Sequence, residues 1–295
     1  MTEAAPLWWS FALPPALALA AGVTAALAGV GAGRRPAPLR ELARRRRRTV
    51  AADAGLRTVG AVLLPVAAVA AAVVLPLGFR AVSDLAVGVV WFNAMGALAW
   101  AAVWLVGWGS NSALALIGGY RFLAQGLAYE VPHMLALTTA ALGAGSLRVG
   151  AVVEAQRGLW FAVWMPAAFA VFLLSAAAMA FWGPFDQPVG RDVAGGAAGE
   201  LGGVDRLVFL GGRWLLLVVA AWMAAALFLG GGQGPLLSAW CWTLVKTAAV
   251  LGALLWLRRR LPAVRMDRFT ALSWTVLMPL AVVQALWVAV VVLER

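Results

Sequence analysis

Eight apolar stretches, each long enough to cross about 30 Å of hydrocarbon, decide what this 295-residue chain can fold into. They run near residues 7–31, 57–78, 85–106, 114–142, 159–182, 207–230, 239–257 and 271–293. In lipid every backbone N–H and C=O must find its partner inside the protein, so stretches of this length become helices. The expected fold is an all-α polytopic membrane protein of about eight transmembrane helices. It forms a single transmembrane domain over 1–295, with its longer connections at 32–56, 183–206 and 258–270. Composition points the same way: 64% of the residues are hydrophobic, 12% are charged and mean hydropathy is +0.90. A soluble domain would hold roughly 45–50% apolar and 25% charged residues.

Arginine placement orients the helices. The 32–56 connection carries Arg34, Arg35, Arg40 and the arginines at 44–48, with Arg57 just beyond. The 258–270 connection carries Arg258, Arg259, Arg260, Arg265 and Arg268, and the 183–206 connection adds Arg191 and Arg206. The other side holds Arg80, Arg148, Arg157 and Arg295. The positive-inside rule then sets the arginine-rich connections in the cytoplasm and both termini outside. The run at 44–48 would also suit a phosphate backbone. Beside a membrane helix it reads as a topology anchor facing anionic headgroups, so no nucleic-acid partner is expected. The first stretch, with Glu3 ahead of it, reads as a retained helix and not as a cleaved signal.

Several chemistries are excluded. One cysteine, Cys241, and one histidine, His133, cannot build a disulfide framework, a Cys/His metal site or an iron–sulfur site from this chain alone. No Walker loop or dinucleotide fingerprint is present, and the glycines of GGGQG at 230–234 lack the strand-to-helix context of such a loop. This chain alone is therefore not expected to bind flavin or an iron–sulfur cluster. Cys241 reads as apolar filler, and Trp8, Trp9, Trp160, Trp240 and Trp242 read as an interfacial belt. Lys246, inside the seventh stretch, reads either as part of an ion path or as a side chain snorkelling to a helix end.

The run GWGSNSALALIGGYRFLAQGLAYE at 107–130 is of another kind, because it sets Arg121, Gln125, Tyr129 and Glu130 in what is otherwise a membrane helix. A charge at membrane depth costs roughly 2.5–3.5 kcal/mol on insertion scales, so such residues face a polar cavity or a partner. Arg121 and Gln125 are one helical turn apart on one face, and Glu130 lies near its edge. His133 follows Glu130 by three and suits either a proton relay or a hydrogen-bonded core position, with Pro132 between them disturbing the relay geometry. The glycine-rich connection 183–206 holds Asp186, Asp192, Glu200 and Asp205. It reads as a solvated loop, or as acids at the mouth of a polar entrance.

These residues resemble a known family. The 107–130 run is similar to the corresponding stretch of the H subunit of bacterial NADH-quinone oxidoreductase (respiratory complex I). The PFD at Pro184, Phe185 and Asp186 resembles that family's PFDLPE segment, and DVAGGAAGELGG resembles its acidic loop, with Asp192 and Glu200 at the two acidic positions. LLWLRRRLPAVRMDRFTALSWTVLMPLAVVQAL resembles a late family segment, in which Arg258, Pro262, Arg265, Asp267 and Trp274 fall on matching places. Asp84 fits an acid that precedes the third helix. The resemblance runs in order from about 57 to 293.

The resemblance implies a subunit that joins membrane and peripheral arms, with quinone as substrate and no cofactor of its own. Arg121, Gln125, Tyr129, Glu130 and Asp84 would line the quinone chamber or a proton path. Asp186, Asp192 and Glu200 would form the acidic loop at the chamber mouth, and Arg258, Arg265 and Asp267 would dock partner subunits. The chain also departs from the pattern. Met179 stands where the family has a glutamate, Phe181 for an asparagine, Trp182 for an arginine and Arg213 for a further glutamate, and only Leu39 and Glu41 echo a longer first loop. Two other readings stay open. One is the membrane anchor subunit of a membrane-bound [NiFe] hydrogenase or formate hydrogenlyase-type complex, which suits the short first loop. The other is a stand-alone transporter, in which intramembrane Arg and Glu would bind substrate.

Overall fold

The apolar stretches fold into helices, some of which carry proline inside them without a break. A computed structural model describes residues 3–4, 6, 8–30, 49–190 and 196–294. The arginines at 34, 35, 40 and 44–48, together with Leu39, Glu41, Arg191, Asp192 and Arg295, lie outside the described residues. The helices are α1 (Trp8–Val30), α2 (Ala54–Ala72), α3 (Gly88–Gly109), α4 (Ala113–Ala144), α5 (Val149–Ala155), α6 (Phe161–Trp164), α7 (Pro166–Met179), α8 (Gly203–Phe228), α9 (Ala239–Arg260), α10 (Met266–Leu272) and α11 (Met278–Leu293). A π-helical stretch, Ser273–Leu277, makes α10 and α11 continuous. The only strands among the described residues are Glu3–Ala4 and Arg80–Ala81, which pair in parallel.

Among the described residues six helical stretches are long and apolar enough to cross a membrane: α1, α2, α3, α8, α9 and the continuous α10–α11. α4 and α5, bent by 61° at their junction, pass the same test only when taken together, as a broken span or a re-entrant loop would. α7 is apolar but only 14 residues long. The chain is thus an all-α multi-pass membrane protein. The helix expected across 159–182 is broken. Pro166 opens α7 as its first residue, and Met165 before it leaves helical geometry at φ −122 and ψ 50, as a residue preceding proline tends to do.

α8 is the central helix. α1, α2, α7 and α9 all pack on it, and residues 215–228 are buried without exception. Small residues set how closely the helices approach. A Cβ on Gly60 of α2 would come within 2.7 Å of the Ala102 carbonyl of α3, and one on Gly107 of α3 within 2.7 Å of the Ala115 carbonyl of α4. Without tail-versus-water hydrophobicity to drive helices together in lipid, this close backbone approach supplies the packing energy. Asp53 caps α2 by accepting a hydrogen bond from Leu56 N at 3.0 Å, and Gly145 ends α4 in the left-handed region at φ 64. α4, ringed by α3, α7, α10 and α11, carries the polar run through the bundle.

Candidate functional site

Gln125 joins two elements that the sequence separates. Its side-chain amide is 1% exposed and donates to the Ala178 carbonyl at 2.8 Å and to the Phe185 carbonyl at 3.2 Å. Ala178 lies in the last turn of α7, and its carbonyl also accepts from Phe181 N at 2.9 Å. Phe185 lies in the PFD segment that follows. One amide thus uses both N–H groups to fasten that segment to α4.

One turn further along, Tyr129 is buried and its hydroxyl accepts a hydrogen bond from Trp100 Nε1 at 2.8 Å. Glu130 Oε1 accepts from Asn93 Nδ2 at 2.8 Å across the α3–α4 seam, where both side chains are half-buried. His133 is buried, with Nδ1 2.8 Å from the Ser175 hydroxyl of α7 and its ring stacked on Phe172 at 4.9 Å. The helix runs unbroken through Pro132. Glu130 and His133 nevertheless engage different helices, α3 and α7, so the histidine is a hydrogen-bonded core residue and not a direct relay partner of the glutamate. Arg121 is half-buried. Nine residues span about two and a half helical turns, so Arg121 and Glu130 leave α4 on opposite flanks.

The acids expected on a solvated loop are mostly drawn inward. Asp186 is buried, and its carboxylate is 3.8 Å from the Arg258 guanidinium. Pro184 accepts from Val264 N at 3.0 Å, and the Phe185 ring packs 4.4 Å from Phe269 of α10. Beyond the undescribed residues 191–195, Ala197 passes so close to α4 that a Cβ on Gly118 would collide with its nitrogen. Glu200 accepts from the Ser112 hydroxyl at 3.1 Å, at the start of α4. The loop is therefore docked against α4. The reason is that its own small residues, Gly196, Ala197 and Ala198, fit against the glycine-bearing face of that helix. Asp192 lies outside the described residues.

Two groupings of expected site residues divide. Asp84 precedes α3 and pairs with Arg148, which donates to the Asp84 carbonyl at 2.9 Å and lies 3.5 Å from its carboxylate. Arg148 follows α4, so Asp84 stands at the opposite end of that helix from Arg121 and Glu200. Of the three expected docking residues, Arg265 and Asp267 form an exposed pair at 3.1 Å, but Arg258 turns inward, with its guanidinium 4.2 Å from the Trp182 ring.

The buried pair between Arg57 of α2 and Asp205 of α8 escaped the sequence reading. Its atoms are 3.3 Å apart, with the residues 2% and 5% exposed. The two are 148 positions apart, so no local pattern could join them. Asn93, by contrast, left a signal, as a lone amide inside an apolar helix. Among the described residues no three His, Cys, Asp or Glu side chains gather as a metal site.

The arrangement is a string of hydrogen-bonded polar groups along α4, tied at the arginine-rich end to a buried acidic segment. The sequence model described as NADH dehydrogenase matches residues 39–289. The chain belongs to the NADH dehydrogenase family. The H 2 subunit of the NADH-quinone oxidoreductase of Geobacter sulfurreducens is 41% identical over 206 residues, covering 70% of this chain and 63% of that protein. The H 1 subunit from Geobacter metallireducens is 40% identical over 206 residues, with the same coverage. The H 2 subunit from Cereibacter sphaeroides is 40% identical over 214 residues, covering 71% of this chain and 67% of that protein. The chain spans 63% of the length of either Geobacter relative. The family resemblance read from the motifs is thus borne out.

Within this NADH dehydrogenase family member, Phe181, Trp182 and Arg213 sit together. Arg213 donates to the Phe181 carbonyl at 2.6 Å, and its guanidinium lies 5.0 Å from the Trp182 ring. Trp182 therefore lies against both Arg213 and Arg258, and its Nε1 donates to the Leu254 carbonyl at 3.2 Å.

Proposed function

We propose that the chain works as a membrane subunit of a complex I-like NADH-quinone oxidoreductase in the bacterial plasma membrane, with both termini outside. It forms the chamber for the quinone headgroup and links quinone reduction to proton translocation. The observation that carries this reading is the 107–130 run: it lies within the family match, and Gln125 knits it to the PFD segment. Arg121, Gln125, Tyr129 and Glu130 line the chamber or the polar path leading from it. Asp186, Asp192 and Glu200 serve the mouth on the arginine-rich side, and Asp84 with Arg148 stands at the outer end of the path. Arg265 and Asp267 face the hydrophilic partner subunits, which carry the flavin and the iron–sulfur clusters.

The physical logic is electrostatic. A carboxylate at membrane depth changes its protonation when a charge appears nearby. A quinone that gains electrons therefore alters what Glu130 and its neighbours hold. The chain supplies hydrogen-bonded positions for the headgroup and proton-bearing side chains, and the redox chemistry belongs to its partners.

Mild-detergent purification of the tagged chain from its own host, followed by mass spectrometry, tests the assembly. Recovery with antiporter-like membrane subunits and an NADH-oxidising module is the expected result. A nickel-bearing large subunit in their place makes the chain a hydrogenase anchor, and a chain that comes out alone and active makes it a transporter. For the chamber, Glu130→Gln and Arg121→Ala should each depress quinone-dependent turnover while the complex stays assembled. Normal turnover in both variants sinks the chamber assignment.

A further inference from the structure

At the end of the bundle away from the arginine-rich connections, two loops close around a single ammonium group. Lys246 stands on α9 two turns from its start and is only 5% exposed. Side chains on a helix lean toward its N-terminus, so Nζ reaches back to the α8–α9 connection. It donates there to the carbonyls of Leu229 and Gln233, both at 2.6 Å. The Trp160 ring centroid lies 4.4 Å from Nζ and that of Trp242 lies 5.5 Å away. Among the described residues the ammonium has no acidic partner; two carbonyl dipoles and two indoles surround it. Neutral oxygens with aromatic faces are the chemistry by which proteins hold ammonium cations. Leu229 also follows the last turn of α8, where the helix dipole is negative.

The surroundings are built for this shape. Gly230 and Gly231 turn the chain at φ 70 and φ 50, a region that strains other residues. A Cβ on Gly234 would collide with the Trp242 ring. The Gln233 side chain donates to the Val153 carbonyl, and Gln156 Oε1 accepts from Gly230 N at 2.9 Å and from Phe161 N at 3.2 Å. The glycines of GGGQG, which carry no nucleotide chemistry, shape this enclosure.

We propose that the carbonyls of Leu229 and Gln233 with the rings of Trp160 and Trp242 form a binding site for a primary ammonium, occupied in cis by Lys246, which fastens the α8–α9 connection to the α5–α6 connection. A snorkelling lysine would hold its ammonium in water, and this one is enclosed. A lysine that passes ions would need a mobile partner, and here both acceptors are backbone carbonyls of a tied loop. The fastening fixes the outer end of α8, whose other end carries Asp205 and Arg213.

Trimming the side chain and returning its missing part tests the site. Lys246→Ala in the full-length chain, within its native membrane assembly, should lower the thermal midpoint by roughly 5–10 °C. The 230–238 loop should also become more susceptible to protease added from outside. Propylammonium chloride, which replaces the lost carbons and nitrogen, should recover more than half of that loss. Neither 1-propanol nor sodium chloride at equal concentration should do so. Equal recovery with propanol would reduce the site to a filled cavity, and equal recovery with sodium chloride would reduce it to ionic strength; either result overturns the proposal. Should Lys246→Ala not accumulate, Lys246→Met decides: it keeps the bulk without the charge, and stability equal to the parent's overturns the proposal, whereas a loss like that expected for alanine supports it.

Discussion

Glu130 accepts a hydrogen bond from Asn93 at 2.8 Å across the seam between α3 and α4, so the carboxylate is steered by a helix other than its own. A hydrogen bond to a charged group contributes about 1.5–3 kcal/mol. Asn93→Leu takes away that donor and leaves the glutamate in place. The expected outcome is quinone-dependent turnover lowered by roughly 10- to 150-fold, with the assembled complex unchanged on a native gel. Unaltered turnover would separate Asn93 from the function of Glu130.

Gln125 makes a prediction whose order matters more than its size. Gln125→Leu takes the side-chain donor from the Phe185 carbonyl, at about 1–3 kcal/mol for the group left unsatisfied, while the Ala178 carbonyl keeps Phe181 N. Gln125→Glu should be worse still, because an ionised carboxylate only accepts and would face two carbonyl oxygens. Thermal unfolding in detergent should rank the parent first, the leucine variant second and the glutamate variant last. A glutamate variant as stable as the parent would show that the amide donors are dispensable.

Which parts of this were legible in the sequence depends on the range of each interaction. The membrane helices could be read because length and apolarity are local properties; a continuous 159–182 could not, because hydropathy averages over the Met165–Pro166 junction that breaks it. The polar run at 107–130 stood out for the same local reason. Its partners did not: Gln125 reaches carbonyls 53 and 60 positions away, and Glu130 is held from 37 positions away. The segment around Asp186 looked solvated because glycine and acid content signal exposure only on average. Here the small residues fit against Gly118, and Arg258 meets the acid. Lys246 showed the same limit, since nothing near it in sequence marks the Trp160 ring as its neighbour.

The Arg57–Asp205 pair can be separated from general packing by a double-mutant cycle. Removing one member of a buried pair typically costs about 3–5 kcal/mol, because the remaining charge is left in a low-dielectric interior. Arg57→Met and Asp205→Leu should each destabilise strongly. The two together should lose much less than the sum, since no buried charge remains. Additive losses would mean that the pair, at 3.3 Å, contributes no coupling and that each residue acts through its packing alone.

The last prediction concerns Trp182 and Arg213, the places at which the sequence resemblance implies an arginine and a glutamate. The two positions are in contact, with the guanidinium 5.0 Å from the indole centroid, so two residues 31 positions apart in sequence are partners in space. A tryptophan faces an arginine here, and the attraction between them is a cation–π contact, where the resemblance would imply an arginine and a glutamate. Reverting one side alone breaks this. Arg213→Glu sets a carboxylate against the negative face of the indole and removes the donor to the Phe181 carbonyl. Trp182→Arg brings a third guanidinium beside Arg213 and Arg258, which both lie against Trp182. Each single reversion should lower the yield and thermal stability of the assembled protein. The double reversion should recover them, with a coupling of about 1–3 kcal/mol. If the two losses simply add, the contact between Trp182 and Arg213 carries no coupling and each residue acts through its other neighbours.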